Sequence, residues 1–320
     1  IFVDTYTDSG SQYSSYESGG ELIMGRSNQT SSINHYTESM IMVDWSTIPI
    51  PGNHEFIDAT LTMHKISGGE LSQETIRIAI CEVQDAWNSS ATMSSPTGSN
   101  SSWSNPRCDV PFEITTVSYQ DNSVDFDVTY AVQHAHASGL DMINLMFWVI
   151  DDTRDEWHFA SSDYSIDEDE RPELTLTWRT GIQWLPSSAN NLAPADGATI
   201  WNQSSSLPRG AENVTMNWTG VDSNETRWII QSSMDPLFIG ENSTWTTDLT
   251  NTSSFNGTWD YSNLAYTTPN NMSWGDYWLY WRVRAEQDHR LGEWSGINSF
   301  RVPGAIGNDD GAGNNTNNLG

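Results

Sequence analysis

The chain has 320 residues, enough for two domains of ordinary size and a tail. Its net charge of −29 comes from scarce bases, 13 against 42 acids, with Lys65 the sole lysine. That scarcity excludes a phosphate-backbone binder and disfavours anionic membrane surfaces, and a lone lysine preceded by His64 excludes a phosphate-binding P-loop.

The chain opens at Ile1 without a basic-then-apolar leader, as a mature or excised fragment would. Ile57, Ala59, Leu61 and Met63 alternate with Asp58, Thr60, Thr62 and His64, which predicts a strand with one dry face. Ile76, Ile78 and Ile80 repeat the pattern. Thr129 to Ser138, just before Gly139, is predicted as a short helix or turn, and no convincing amphipathic helix is found. Leu145 to Ile150 is the longest apolar run, too short for a membrane span and suited to a buried strand. Leu174, Leu176 and Trp178 alternate again. Beyond Trp178, a Pro/Ser/Asn-rich stretch to Pro194 predicts a boundary. Three segments follow: a β-sandwich over 1–180, a second over 181–303, and a Gly/Asn-rich tail or linker over 304–320. The fold class is all-β, two tandem antiparallel sandwiches. Residues 1–180 hold 28 acids against 7 bases, and the remainder 14 against 6.

The first segment resembles the DNRLRE family, the disaggregatase-repeat-like β-sandwich also classed among carbohydrate-binding modules. The matching pieces run in family order: Asp4-Thr5-Tyr6, Leu22 to Gly25, Met40 to Pro49, Ile57 to Met63, Asp85-Ala86-Trp87, Asp127 to Gly139, Phe159 to Asp163 and Arg171 to Thr177. A basic residue common in the family is Met42 here, and an aromatic is replaced at Ala135 or His136. The resemblance implies a jelly-roll-like sandwich. The second segment resembles a fibronectin type III sandwich. Val214 to Trp218 fits the second strand, Trp228 to Gln231 the third and Trp281 to Ala285 the sixth. Gly292 to Ser295 precedes the last strand, Phe300 to Val302. Alternation there sends Leu279, Trp281, Val283 and Ala285 inward. Arg282 and Arg284 are expected to point outward and stack on aromatics such as Trp294.

Cys81 and Cys108 suit one disulfide in an oxidising compartment, the alternative being two unrelated buried thiols. Asn-x-Ser/Thr sequons stand at Asn28, Asn88, Asn100, Asn202, Asn213, Asn217, Asn224, Asn242, Asn251, Asn256, Asn271 and Asn314. Their crowding points outside the cell and favours an archaeal or eukaryotic source. Asn213 and Asn217 are expected on one wet sheet face. His134 and His136 form a weak metal pair, with ordinary histidines as the alternative. Asp151, Asp152, Asp155 and Glu156 are read as one hairpin turn, and Asp163, Asp167, Glu168, Asp169 and Glu170 as the next loop. The aspartates at 151, 152, 155, 163, 167 and 169 are candidate calcium ligands, against a solvated acidic loop. Tyr13, Tyr16 and Trp103 are candidate sugar-stacking aromatics, against a stapled loop with Trp103 folded onto the sheet.

No nucleophile elbow, phosphate loop or dinucleotide fingerprint occurs, and no cofactor beyond calcium is implied. The sequence reads as a non-enzymatic extracellular or cell-surface protein, structural or adhesive: a stalk, surface-layer component or filament subunit. Its expected partners are copies of itself, head to tail, with the apolar N-terminal strand free to add to a neighbour, or other surface proteins. The alternative is a carbohydrate-binding module for neutral glycans, part of a larger polysaccharide-processing protein.

Overall fold

The computed structural model describes residues 2–8, 16, 20–27, 35–50, 53–68, 75–97, 102–104, 110–151, 156–199, 214–219, 227–238, 243–247, 256–261 and 277–302. The chain divides into two compact units, Ile1–Leu185 with His289–Leu291, and Pro186–Asp288 with Gly292–Gly320.

The first unit is built from β1 (Phe2–Asp8), β2 (Glu21–Ser27), β3 (His35–Asp44), β4 (His54–Gly68), β5 (Thr75–Glu82), β6 (Glu113–Ser118) and β7 (Ser123–Asp127). Helix α1 (Thr129–Ala137), β8 (Met142–Val149), β9 (Glu156–Ala160) and β10 (Glu173–Thr180) complete it. One layer runs β1-β3-β8-β5-β6, entirely antiparallel. The other is β2-β9-β4, with β7 and β10 also paired to β4. Short pairing of β2 with β3 joins the two. Alternation fills the space between them: Ile41 and Val43, Ile76, Ile78 and Ile80, and Ile143, Leu145 and Phe147 meet Leu61, Met63, Phe126, Trp157 and Phe159.

The helix forms where predicted, and its buried face is Ala131, Val132 and Ala135. Asp127 accepts the Thr129 backbone N–H at 2.9 Å, and Ala59 N–H donates to Thr129 Oγ1 at 2.9 Å. Gly139 ends the helical stretch at φ +77°, a value side chains resist.

Three sequence expectations for this unit are corrected. The alternation through Ile57 and Trp178 breaks at a bulge, where Thr177 faces Asp58 but Trp178 faces Phe56. The skipped residue changes the phase, so Phe56 enters the core, Ile57 is half-buried, and Trp178 is exposed. The strands flanking the expected acidic hairpin are not paired with each other among the described residues: β8 pairs with β3 and β5, and β9 with β2 and β4, while residues 152–155 between them lie outside the described residues. The N-terminal apolar strand is used in its own sheet: Phe2 pairs with Val43 and packs on the core.

The second unit contains β11 (Asn190–Ala193), β12 (Ala198–Thr199), β13 (Val214–Thr219), β14 (Arg227–Ser233), β15 (Ser243–Thr247) and β16 (Asn256–Tyr261). β17 (Tyr277–Gln287) and β19 (Asn298–Val302) follow, while β18 (Arg290–Leu291) between them falls in the first unit. One sheet runs β11-β13-β16, the other β12-β19-β17-β14-β15. The first strand is split between them, β11 antiparallel to β13 and β12 parallel to β19. Met216, Trp218, Trp228, Ile230, Leu279, Trp281, Val283, Ala285 and Phe300 form its core. This is the all-β, fibronectin-like arrangement the strand pattern implied, with β13, β14, β17 and β19 as the second, third, sixth and last strands. The tail over 304–320 lies outside the described residues.

Candidate functional site

Two sheet faces turned away from the cores carry the chemistry that does not belong to ordinary packing. In the first unit, the alternation that buries Ile41, Leu145 and Ile78 leaves Met40, Met42, Met146, Trp148, Ala79 and Cys81 on the opposite face. Such a face is usually wet. Here Met40 and Ala79 are fully buried, and Val83, Trp87, Ala91 and Trp103 form a second apolar cluster with Met40 and Met146. The covering segment is tied down by its own polar groups. Trp103 Nε1 donates to the Thr92 carbonyl at 3.2 Å, and the Ser104 backbone N–H donates to Asp85 at 2.5 Å. Asn88 Oδ1 accepts from the Ser90 N–H at 3.0 Å.

In the second unit, the face opposite the core of β17 holds Trp278, Tyr280, Arg282 and Arg284. Both inner arginines stack, as expected, but they are buried rather than outward in solvent. The Arg282 guanidinium lies 4.7 Å from the Phe238 ring and 4.3 Å from the Trp294 ring. Arg284 lies 4.5 Å from the same indole, and Arg282 Nε donates to Gln231 at 2.8 Å. A planar guanidinium can be sandwiched between rings in this way where an ammonium cannot. The sole lysine is also engaged: Lys65 Nζ sits 5.0 Å from the Trp157 ring and donates to the Tyr119 carbonyl.

The sequence-predicted residues are mostly kept apart. Asp151 binds Arg77, accepting from its backbone N–H at 2.6 Å and from its guanidinium at 2.6 and 3.0 Å. Asp167 caps the turn at Glu168–Glu170 by accepting the Asp169 N–H at 3.0 Å, and Asp163 and Asp169 are exposed. Among the described residues no group of three or more His, Cys, Asp or Glu side chains could hold a metal ion. His134 and His136, two apart on α1, do not share a face. His134 lies against Tyr130 at 4.0 Å and His136 against His54 at 4.4 Å.

Tyr16 stacks on Tyr6 at 4.2 Å, 11° from parallel, and Trp103 is folded onto the sheet rather than offered as a platform. Asn88 is exposed. Asn217 pairs with Ala193 and Thr258 at the register position between buried Met216 and Trp218, and Asn256 pairs with Thr219. Cys81 is buried, and no free cysteine occurs among the described residues. Tyr13, Cys108, Asp152, Asp155, Asn28, Asn100, Asn202, Asn213, Asn224, Asn242, Asn251, Asn271 and Asn314 lie outside the described residues.

One group with a displaced titration was not anticipated. Asp4 on β1 is buried, and desolvation raises its carboxyl above the usual 3.8 although the Ser162 N–H donates to it at 2.7 Å. No hydrophobic pattern marks such a residue, because its burial comes from the pairing of β1 with β3.

No family model matches the chain, and no curated protein matches it. Among solved structures, 87 chains match. One, the chicken CNTN1 FN1-FN3 domains, aligns over 94 % of this chain and 91 % of its own at 7 % identity and a TM-score of 0.25. A likeness of that size carries no argument, and the all-β fold rests on the sheets themselves. No helix among the described residues is long and apolar enough to cross a membrane.

Proposed function

We propose that this chain is a non-enzymatic extracellular protein with a structural or adhesive role, a subunit of a surface layer, stalk or filament. One observation carries the reading: among the described residues, several polar groups that could do chemistry are engaged in holding the chain rather than gathered into one cluster. Asp151 is committed to Arg77, Asp167 caps a turn, and His158 pairs with Glu21 at 2.7 Å. On the second unit's outer face Arg282 lies between the Phe238 and Trp294 rings and Arg284 stacks on the same Trp294 ring. Sedimentation and electron microscopy of the native protein test this, with polymers expected. A single species of the 35.8 kDa chain mass at high concentration overturns it.

The finer assignments belong to the same proposal. The first unit is DNRLRE-like, supported by the fall of the family's pieces on β1, β2, β3, β4, α1 and β10. A Cys81–Cys108 disulfide closes the covering segment. Phe112 N–H donates to the Ile80 carbonyl at 3.0 Å, so the chain is again beside β5 shortly after position 108. Closing a loop of about 27 residues stabilises the fold by roughly 3.5 kcal/mol on the chain-entropy account. Labelling of both thiols in unreduced protein would contradict the bond. Glycans on exposed sequons such as Asn88 should add mass above the bare polypeptide in intact-mass analysis.

A further inference from the structure

Strand β10 borders the β2-β9-β4 layer of the first unit. Among the described residues it pairs with β4 alone. Leu176 faces Ala59, yet the two do not bond each other. Ala59 gives its N–H to Thr129 Oγ1 at 2.9 Å, and its carbonyl accepts the Val128 N–H at 2.9 Å. Phe56, opposite Trp178, likewise gives its N–H to Gln183 Oε1, and its carbonyl accepts from the Gln133 amide, each at 2.9 Å. Facing residues of an antiparallel pair bond each other through both main-chain groups or through neither. The N–H and C=O of Leu176 and Trp178 therefore point away from β4, to the open border, and the same alternation adds those of Leu174.

An edge of this kind templates another strand unless something blocks it, and charge, lysine and proline are the usual blocks. Between Glu173 and Arg179 the strand has none of them. Thr175 and Thr177 are exposed on one face; on the other, Leu174 and Leu176 pack partly buried against the core, and Trp178 is left 41 % exposed. The strand's own sequence selects the occupant. Laid antiparallel on a second β10 about Leu176, it sets Leu176 against Leu176, Leu174 against Trp178 and Thr175 against Thr177. Each outward-pointing residue then meets an outward-pointing residue, so each such pair exchanges both of its main-chain bonds. Trp178 gains the apolar neighbour it lacks, and threonine pairs with threonine across the other face. Glu173 falls opposite Arg179, so no acid meets an acid even though each chain carries −29. Arg179 is held by Glu55 at 2.5 Å within its own copy, and the contact draws no ion pair from it.

We propose that β10 is a self-pairing edge: the strands of two copies join antiparallel about a two-fold axis at Leu176, making one continuous sheet across the pair. The contact goes beyond the polymer reading above. It uses the same surface on both copies, so it closes as a dimer, and extension needs a separate contact. Main-chain bonds and an apolar row carry it, and salt favours it by screening the repulsion between the acidic chains.

Sedimentation of the full chain over a concentration series at physiological ionic strength tests the contact. Deuterium exchange of the segment 173–180 is read alongside, with circular-dichroism melting as the check on folding. The wild type should pair, and exchange at Leu174, Leu176 and Trp178 should slow as concentration rises. Thr175→Lys with Thr177→Lys sets like charges opposite each other in this register and should weaken pairing roughly tenfold. Thr175→Lys with Thr177→Glu sets opposite charges there and should pair at least as well as the wild type. Both threonines are exposed, so neither variant disturbs the core. A wild type that associates while exchange over 173–180 ignores concentration overturns this contact and leaves the assembly reading standing, as does equal weakening, or none, in the two variants. Dimers that the double-lysine variant loses, and that never extend, uphold this contact and overturn the polymer reading. A chain monomeric at every concentration overturns both.

Discussion

Gln133 sits inside a nine-residue helix with no exposed surface, and its amide donates to the Phe56 carbonyl at 2.9 Å. A buried amide in a helix is tolerated only when it satisfies a group that would otherwise go without. Gln133→Ala is expected to destabilise the first unit by about 2 kcal/mol in urea unfolding. Asp4 gives a pH test. Its folded-state pKa is raised, so the native chain holds this proton more tightly than the unfolded one. The group therefore costs stability at neutral pH, and the cost fades as pH falls through the raised pKa towards 3.8. Asp4→Asn should stabilise the protein at neutral pH and do so less in acid, as urea midpoints at the two conditions would show. The sequence placed Gln133 and Asp4 inside matching motifs, but no spacing rule told that each would be buried and bonded. Those facts depend on strands distant in the chain.

At the scale of elements, most strands were legible because alternation marks any sheet with one dry face. The core residues of β5 and β17 follow from period two alone. The exceptions have physical causes. A bulge opposite Thr177 and Trp178 changed the phase of β4, and nothing in the residues between Ile57 and Met63 signals an extra residue. The near-continuous apolar run of β8 does record a sheet buried on both faces, the outer one beneath Trp87 and Trp103. Trp87→Ala should therefore cost about 3 kcal/mol although it lies outside the main core, measured by thermal unfolding. Arg282→Lys should lower the second unit's stability by about 1 kcal/mol despite keeping the charge, because an ammonium cannot stack between two rings. The acidic residues of the β8–β9 connection and the Glu168–Glu170 turn were grouped by sequence proximity. Among the described ones, Asp151 is held against Arg77 and Asp167 caps its own turn.

For the whole molecule, the excess of acids sets the response to solution conditions. Self-repulsion at −29 opposes compactness and close approach of copies. Added salt should raise the melting temperature, because the repulsion is screened within about a nanometre. Solubility should be lowest near the sequence pI of about 4.2, which turbidity against pH would reveal. The two-sandwich architecture was readable from composition breaks and alternation.

The position of Lys65 has a practical consequence. As the only lysine, it carries the chain's one side-chain primary amine, and that amine is spent on the Trp157 ring and the Tyr119 carbonyl. Amine-directed fixatives, fluorophores and cross-linkers therefore have almost nothing to grip along the chain, and lysine-specific proteases have a single half-buried target. Assemblies of this protein would look unlinked under aldehyde or succinimidyl-ester treatment while holding firmly together. Carbodiimide coupling through the abundant carboxylates is the chemistry that would capture them.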